Sequence, residues 1–167
     1  MTKVFTIKPI SNTYSQQVVD LILPIQQEEF HVPITLADQP DLLDIESSYR
    51  RLGGEFWGAF YEGELVGTIA LLPANEQDAV IRKMFVKQAF RGKEFGIGQE
   101  LLDTLIRHCR EQGISYLYLG TVDMLKAAHR FYERNGFQRI HKTDLPPHHP
   151  TMTGDTVYYE RYLNEQP

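Results

Sequence analysis

Apolar and polar positions regroup along the chain so as to divide it into short strands and amphipathic helices. From Lys3 to Ile10, Val4, Thr6 and Lys8 alternate with Phe5, Ile7 and Pro9, the period-two pattern of a strand, with Pro9 near an edge or an end. Ser11-Asn12 suits the cap of a helix whose Val18, Leu21, Ile22 and Ile25 form one stripe, and Pro24 predicts a kink or break in it. His31-Val32-Pro33 reads as a connection. A second short helix starts at Gln39 to Leu43, with Pro40 in its first turn, and Gly53-Gly54 ends it. Glu55 to Tyr61 and Glu64 to Leu72 read as two strands about a Glu62-Gly63 turn, followed by a polar loop from Pro73 to Asp78.

The pattern then changes from strand to helix within one stretch, Ala79 to Cys109. Val80, Ile81, Met84 and Val86 belong to a strand; Leu101, Leu102, Leu105, Ile106 and Cys109 recur at three- and four-residue spacings on one helical face. Between them lie Arg91, Gly92, Lys93 and Gly96-Ile97-Gly98, ahead of Gln99. Glycines let a backbone approach a ligand closely, and the first N–H groups of a helix have no internal partner. With the positive end of the helix dipole, this makes a candidate anion site suited to phosphate. The same glycines could simply turn the chain, and neither the nucleotide P-loop spacing nor a full GxGxxG is present. Beyond Gly113, Ser115 to Val122 reads as a strand and Ala127 to Phe137 (AAHRFYERNGF) as a helix stopped by Asn135-Gly136. Phe137 to His141 and Val157 to Leu163 are further strands, joined by an irregular loop that starts at Asp144.

Two of these segments, MFVKQAFRGKEFGIGQELL and AAHRFYERNGF, stand in the order and at the separation found in the GCN5-related N-acetyltransferase (GNAT) family, and the chain resembles that family from about Val4 to Leu163. The order of elements is α/β with a mixed, largely antiparallel sheet flanked by helices. The resemblance implies that the two central parallel strands splay apart and that the pantetheine arm of acetyl-CoA, the cosubstrate, enters the gap. Its edges would be Met84-Phe85-Val86 and Tyr118-Leu119-Gly120, whose unpaired backbone groups an amide-rich arm can satisfy as an added strand would.

The chain has the length of one domain, 1–167, able to bury a sizeable core. Its apolar content of 42% with 23% charged residues is that of an ordinary globular protein, and a net charge of −5 speaks against a nucleic-acid partner. No stretch approaches a membrane span and no signal-like segment opens the chain, so a cytoplasmic location and no membrane partner are expected. The lone Cys109 lies on the apolar side of its helix, where a packed thiol is expected rather than a nucleophile.

Acetyl transfer to an amine needs a held pyrophosphate, a neutral amine, a stabilised oxyanion and a proton for the leaving thiolate. By resemblance, Arg91 to Gly98 and the N–H groups opening the Gln99 helix hold the pyrophosphate, an N–H near Phe85 or Val86 polarises the thioester carbonyl, and Tyr132 protonates the sulfur. Either Arg91 or Lys93 could be the cation at the pyrophosphate, since Glu94-Phe95 reads as an insertion when Arg91-Gly92-Lys93 is aligned. Two family positions differ: a frequent asparagine is Leu125 here, and a frequent base position is Gly120. Glu29, Glu55, Asp123 and His129 remain as candidate bases, none singled out by spacing. His148-His149 resembles half a metal site, but no metal is expected. The expected activity is N-acetyl transfer by direct attack of a primary amine, borne by a small molecule or a protein. The alternative is a non-catalytic acyl-CoA-binding or sensor domain. The oligomeric state is open, a homodimer being one option. An acidic excess in 26–43 and 142–156 suggests a cleft that attracts cationic amines.

Overall fold

A computed structural model describes residues 4–147 and 154–163. Seven strands form one sheet: β1 (Thr6–Pro9), β2 (Glu55–Tyr61), β3 (Glu64–Pro73), β4 (Asp78–Val86), β5 (Tyr116–Thr121), β6 (Gln138–Ile140) and β7 (Val157–Tyr162). Their spatial order is β1-β2-β3-β4-β5-β7-β6, and every neighbouring pair is antiparallel except β4 with β5. The hairpin between β2 and β3 turns at Glu62 (φ 50°) and Gly63 (φ 82°), the two positive φ values that match strand twist in a two-residue turn.

Helices cover both faces. On one, α3 (Ile97–Glu111) buries Ile97, Leu101, Leu102, Leu105, Ile106 and Cys109 against Ile69, Leu71, Ile81, Leu117 and Tyr159. On the other, α1 (Ser15–Pro24) buries Val18, Leu21 and Ile22 against Phe56, Phe60, Leu65 and Ala70. Each fully buried side chain of this size contributes about 1.5–3 kcal/mol, so each stripe fixes its helix to its face. Pro24 does not end the helical path. Lacking an N–H, it closes α1, and the chain widens into a π-helical turn, Ile25–Glu29, closed by a bond from Phe30 N–H to the Ile25 carbonyl. The second expected helix is divided: a 3-10 turn at Pro40–Leu43, α2 (Ile45–Ser48) and a further 3-10 turn at Arg50–Leu52. The break falls at Asp44, whose carboxylate caps Ser47 N–H at 3.2 Å. The last helix is α4 (Lys126–Arg134).

Two irregularities in β4 open the sheet at its centre. Its pairing with β5 covers only Asp78–Tyr116, Ala79–Leu117 and Val80–Tyr118, after which the strands part. Its pairing with β3 skips between Arg82 and Phe85, where Lys83 adopts φ 52°. That is a bulge: Lys83 and Met84 stand against Ile69 alone.

Candidate acyl-transfer site

The gap between β4 and β5 opens into a cavity of about 140 Å³. Met84, Phe85, Leu119 and Gly120 line it from the parted strands, Leu125, Ala128 and Tyr132 from the α4 side, and Gln26, Phe30, Val32 and Ile34 from the chain after α1. Of the expected edges, Tyr118 still pairs with Val80, so the open part of β5 starts at Leu119. On the β4 side alternation shows which of Phe85 and Val86 turns its backbone to the open edge. Lys87 donates its N–H to the Val66 carbonyl of β3 at 2.8 Å, so the Val86 backbone faces the opposite, open edge. The Val86 carbonyl there accepts from Arg91 Nε at 2.8 Å.

The loop ahead of α3 is anchored by aromatic rings. Phe90 and Phe95 lie 5.2 Å apart between centroids, and both meet Tyr61, at 5.3 and 5.7 Å. Phe95 is thus the residue that seats the loop. Gly92 (φ 109°) and Gly96 (φ 70°) adopt left-handed backbone with open space where a Cβ would stand. The first N–H of α3 with a helical acceptor is that of Glu100, bonded to the Gly96 carbonyl at 3.0 Å, which leaves those of Ile97, Gly98 and Gln99 open. A Cβ on Gly98 would meet Met84, Val86 and Phe131 no closer than 3.8 Å, so packing alone does not demand glycine there. The Gln99 side chain bonds Asp103 and Asn135 at 2.9 and 2.8 Å, leaving its backbone as the part available to a ligand.

Arg91 and Lys93, alternatives in the sequence, have different surroundings. The Arg91 guanidinium forks onto both oxygens of Glu29, one bond at 2.7 Å, and lies 5.6 Å from the Phe30 ring. Lys93 is exposed on the loop itself.

Tyr132 is buried against the cavity, its hydroxyl donating to the Met84 sulfur at 3.6 Å. Burial, then the charge of Asp155 and the neighbouring Tyr159, hold its phenol protonated well above the ordinary tyrosine range. Asp155 also lines the cavity. It is set by the start of β7, where Thr156 N–H bonds the Thr121 carbonyl at 2.9 Å, and its carboxylate lies over Gly120. A Cβ built on Gly120 would stand 2.3 Å from the nearer carboxylate oxygen. A carboxylate thus stands where a side chain at position 120 would, brought there from just ahead of β7, which only the β5–β7 register reveals.

The bases weighed in the sequence lie elsewhere. Glu29 holds Arg91, Glu55 pairs with Arg50 at 2.8 Å, and Asp123 pairs with Lys126 at 3.0 Å on the surface. The His129 ring bonds the Val122 carbonyl at 3.0 Å. Cys109 is a core thiol whose pKa burial pushes up to about 12. His148-His149 lies outside the described residues. No helix among the described residues is long and apolar enough to cross a membrane.

A parallel pair that parts over a phenol and a carboxylate, beside a helix start open to anions, is the layout expected of GNAT proteins. The acetyltransferase (GNAT) family model matches residues 19–137, and the chain belongs to that family. It superposes on an acetyltransferase of the GNAT family from Staphylococcus aureus Mu50 with a TM-score of 0.92 at 38% identity, over 96% of this chain and 100% of that one. Over 135 residues it is 33% identical to the probable N-acetyltransferase camello of Xenopus tropicalis, covering 80% of this chain and 62% of that protein. The PaiA N-acetyltransferase from Thermoplasma acidophilum, solved in complex with coenzyme A, shares the fold at a TM-score of 0.73 and 20% identity, over 95% of this chain and 99% of that one. The chain spans less than two thirds of the length of the first curated relatives it matches.

Proposed function

We propose that this chain moves an acetyl group from acetyl-CoA to a primary amine by direct transfer, as a single cytoplasmic domain without a metal. The observation that carries the reading is the meeting of Tyr132, Asp155 and the open edges of β4 and β5 in one cavity. Lys93 and the N–H groups of Ile97, Gly98 and Gln99 would take the pyrophosphate, Arg91 being committed to Glu29. The Val86 backbone and the Leu119-Gly120 edge would hold the pantetheine amides.

Asp155 accepts the proton of the arriving ammonium, freeing the nitrogen lone pair to attack the thioester carbon. The Val86 N–H meets the carbonyl oxygen as negative charge grows on it. When the C–S bond breaks, Tyr132 gives its proton to the sulfur, the acylated nitrogen loses its second proton to solvent as the amide forms, and Tyr132 and Asp155 regain their starting protonation by exchange with water. The raised pKa of the phenol suits a donor that must carry its proton at neutral pH. Asp155 over Gly120 supplies the carboxylate whose absence favoured a non-catalytic sensor; Leu125 remains the departure in that direction.

The test is amine-dependent release of CoA thiol from acetyl-CoA, with the product weighed by mass spectrometry. Release that follows amine concentration, with one acetyl group added per amine, supports the reading. Tight acetyl-CoA binding with no transfer to any amine supports the sensor.

A further inference from the structure

Arg82 and Lys83 are two consecutive cations in a central strand that is otherwise apolar from Ala79 to Val86. In a regular strand neighbours point to opposite faces. Here the bulge at Lys83 breaks the alternation, and both residues line the same cavity, on the side of Gln26, Phe30 and Ile34 rather than of Tyr132's helix. A non-glycine residue at φ 52° is a strained arrangement of the kind that gathers at functional sites.

The cations at this end have acids and the Tyr49 hydroxyl beside them but an incomplete set of hydrogen bonds. Lys83 is almost wholly buried, donating to Gln39 Oε1 at 2.7 Å and standing 3.6 Å from Asp41. Asp41 is shared, since it also accepts from the Tyr49 hydroxyl at 2.7 Å. Burial holds the Lys83 pKa below its ordinary value, the opposing pull of Asp41 and Asp155 notwithstanding. The Nε of Arg82 is buried without a hydrogen-bond acceptor. Of the acids on the cleft walls, Glu29 holds Arg91 and Asp38 is bonded by Thr35, while Asp41 and Asp155 stay beside the cations of the cavity.

We propose that Arg82 and Lys83 form a carboxylate-binding site at the acceptor end of the cavity, so that the accepted amine belongs to a small molecule carrying its own carboxylate. The site reverses the electrostatic preference expected from the sequence. It rests on the acetyl-transfer reading for its place in a reaction, while its anion binding can be read separately. A carboxylate there gives the orphaned Arg82 Nε an acceptor in fork geometry and offsets the desolvation of Lys83. Asp155, whose charge acts on both Lys83 and Tyr132, would meet the amine.

The test pairs α-, β- and γ-amino acids with their amides. In the thiol-release assay the acids should exceed the matching amides at least tenfold in kcat/KM for the best pair. Arg82→Gln should bring that ratio near one, mainly through KM, with acetyl-CoA binding by calorimetry unchanged and thermal melting reporting the fold. If Arg82→Gln does not fold, Arg82→Lys, which keeps charge but loses the fork, should lower the ratio part of the way. Amides used as well as acids, or a ratio that survives either folded variant, overturns the site while leaving acetyl transfer standing. If no amine is acetylated, the transfer reading fails, and titrating the same acids and amides into the CoA-loaded protein still decides the site. Acid-selective binding lost in the Arg82 variants sustains it, and equal or absent binding overturns it.

Discussion

Gly96→Asp separates the anion site from the stability of the fold. Gly96 caps α3 with φ 70° and nothing within reach of a Cβ, and aspartate is among the residues that tolerate this left-handed backbone. The backbone cost, about 1 kcal/mol, is partly offset because a negative charge at a helix start is favourable by about 0.3–1 kcal/mol. Melting should therefore move by only a few degrees. Affinity for acetyl-CoA should move much more. A carboxylate about 6 Å from a pyrophosphate bearing about two charges is repelled by about 1.4 kcal/mol even at the dielectric of water, which is about tenfold in Kd, and by more where solvent is excluded. Calorimetric titration at low and high salt measures it, the loss shrinking as salt rises. Gly96→Asn, of the same shape without the charge, should lose clearly less. A folded Gly96→Asp protein that binds acetyl-CoA as the parent does would refute the assignment of the pyrophosphate to this loop.

Three other outcomes follow from the same geometry. Tyr132→Phe removes one weak bond to the Met84 sulfur, so the fold and acetyl-CoA affinity should be kept while turnover drops about 10²-fold; equal turnover would mean that another group protonates the thiolate. Gly120→Ala forces the Asp155 carboxylate aside and should lower turnover about 10²-fold with a preserved melt, which unchanged pH–rate profiles would contradict. Burial raises Cys109 from 9.0 to about 12, so the folded state binds more protons across that interval, and its stabilisation is whole below pH 9 and lost as pH climbs through 12, by at most about 4 kcal/mol. Urea unfolding should show this loss from pH 9, and Cys109→Ala should delay its onset to about pH 10, where tyrosines raised by burial begin to lose their advantage.

What the sequence made legible was local. The stripe of α3, the glycines ahead of it, the Glu62-Gly63 turn and the tyrosine of α4 each depend on spacings of a few residues. What it hid depends on pairings between distant segments. Asp155 takes the place of a side chain at Gly120 only because β7 returns beside β5. Arg91 and Lys93 are equal alternatives in the sequence, and only the fold shows Glu29, 62 residues away, against Arg91. Phe95 read as an insertion because its partner, Tyr61, lies on another strand. The bulge at Lys83 has no local signature, since lysine is not a residue that marks positive φ. Counting carboxylates along the walls likewise does not show which are hydrogen-bonded: Asp38 is held by Thr35, whereas Asp155 lines the cavity.

The central claim is that the parted edges of β4 and β5, with the start of α3, receive the thioester carrier. Amide hydrogen exchange followed residue by residue, without and with acetyl-CoA, addresses it directly. The N–H groups of Val86, Ile97, Gly98 and Gln99 face no backbone acceptor and should exchange fast in the free protein, then slow by at least about tenfold when acetyl-CoA is bound, while Phe85, turned toward β3, changes little. Protection confined to other parts of the sheet, or no change at Val86 and the α3 start under saturating acetyl-CoA, would contradict the account.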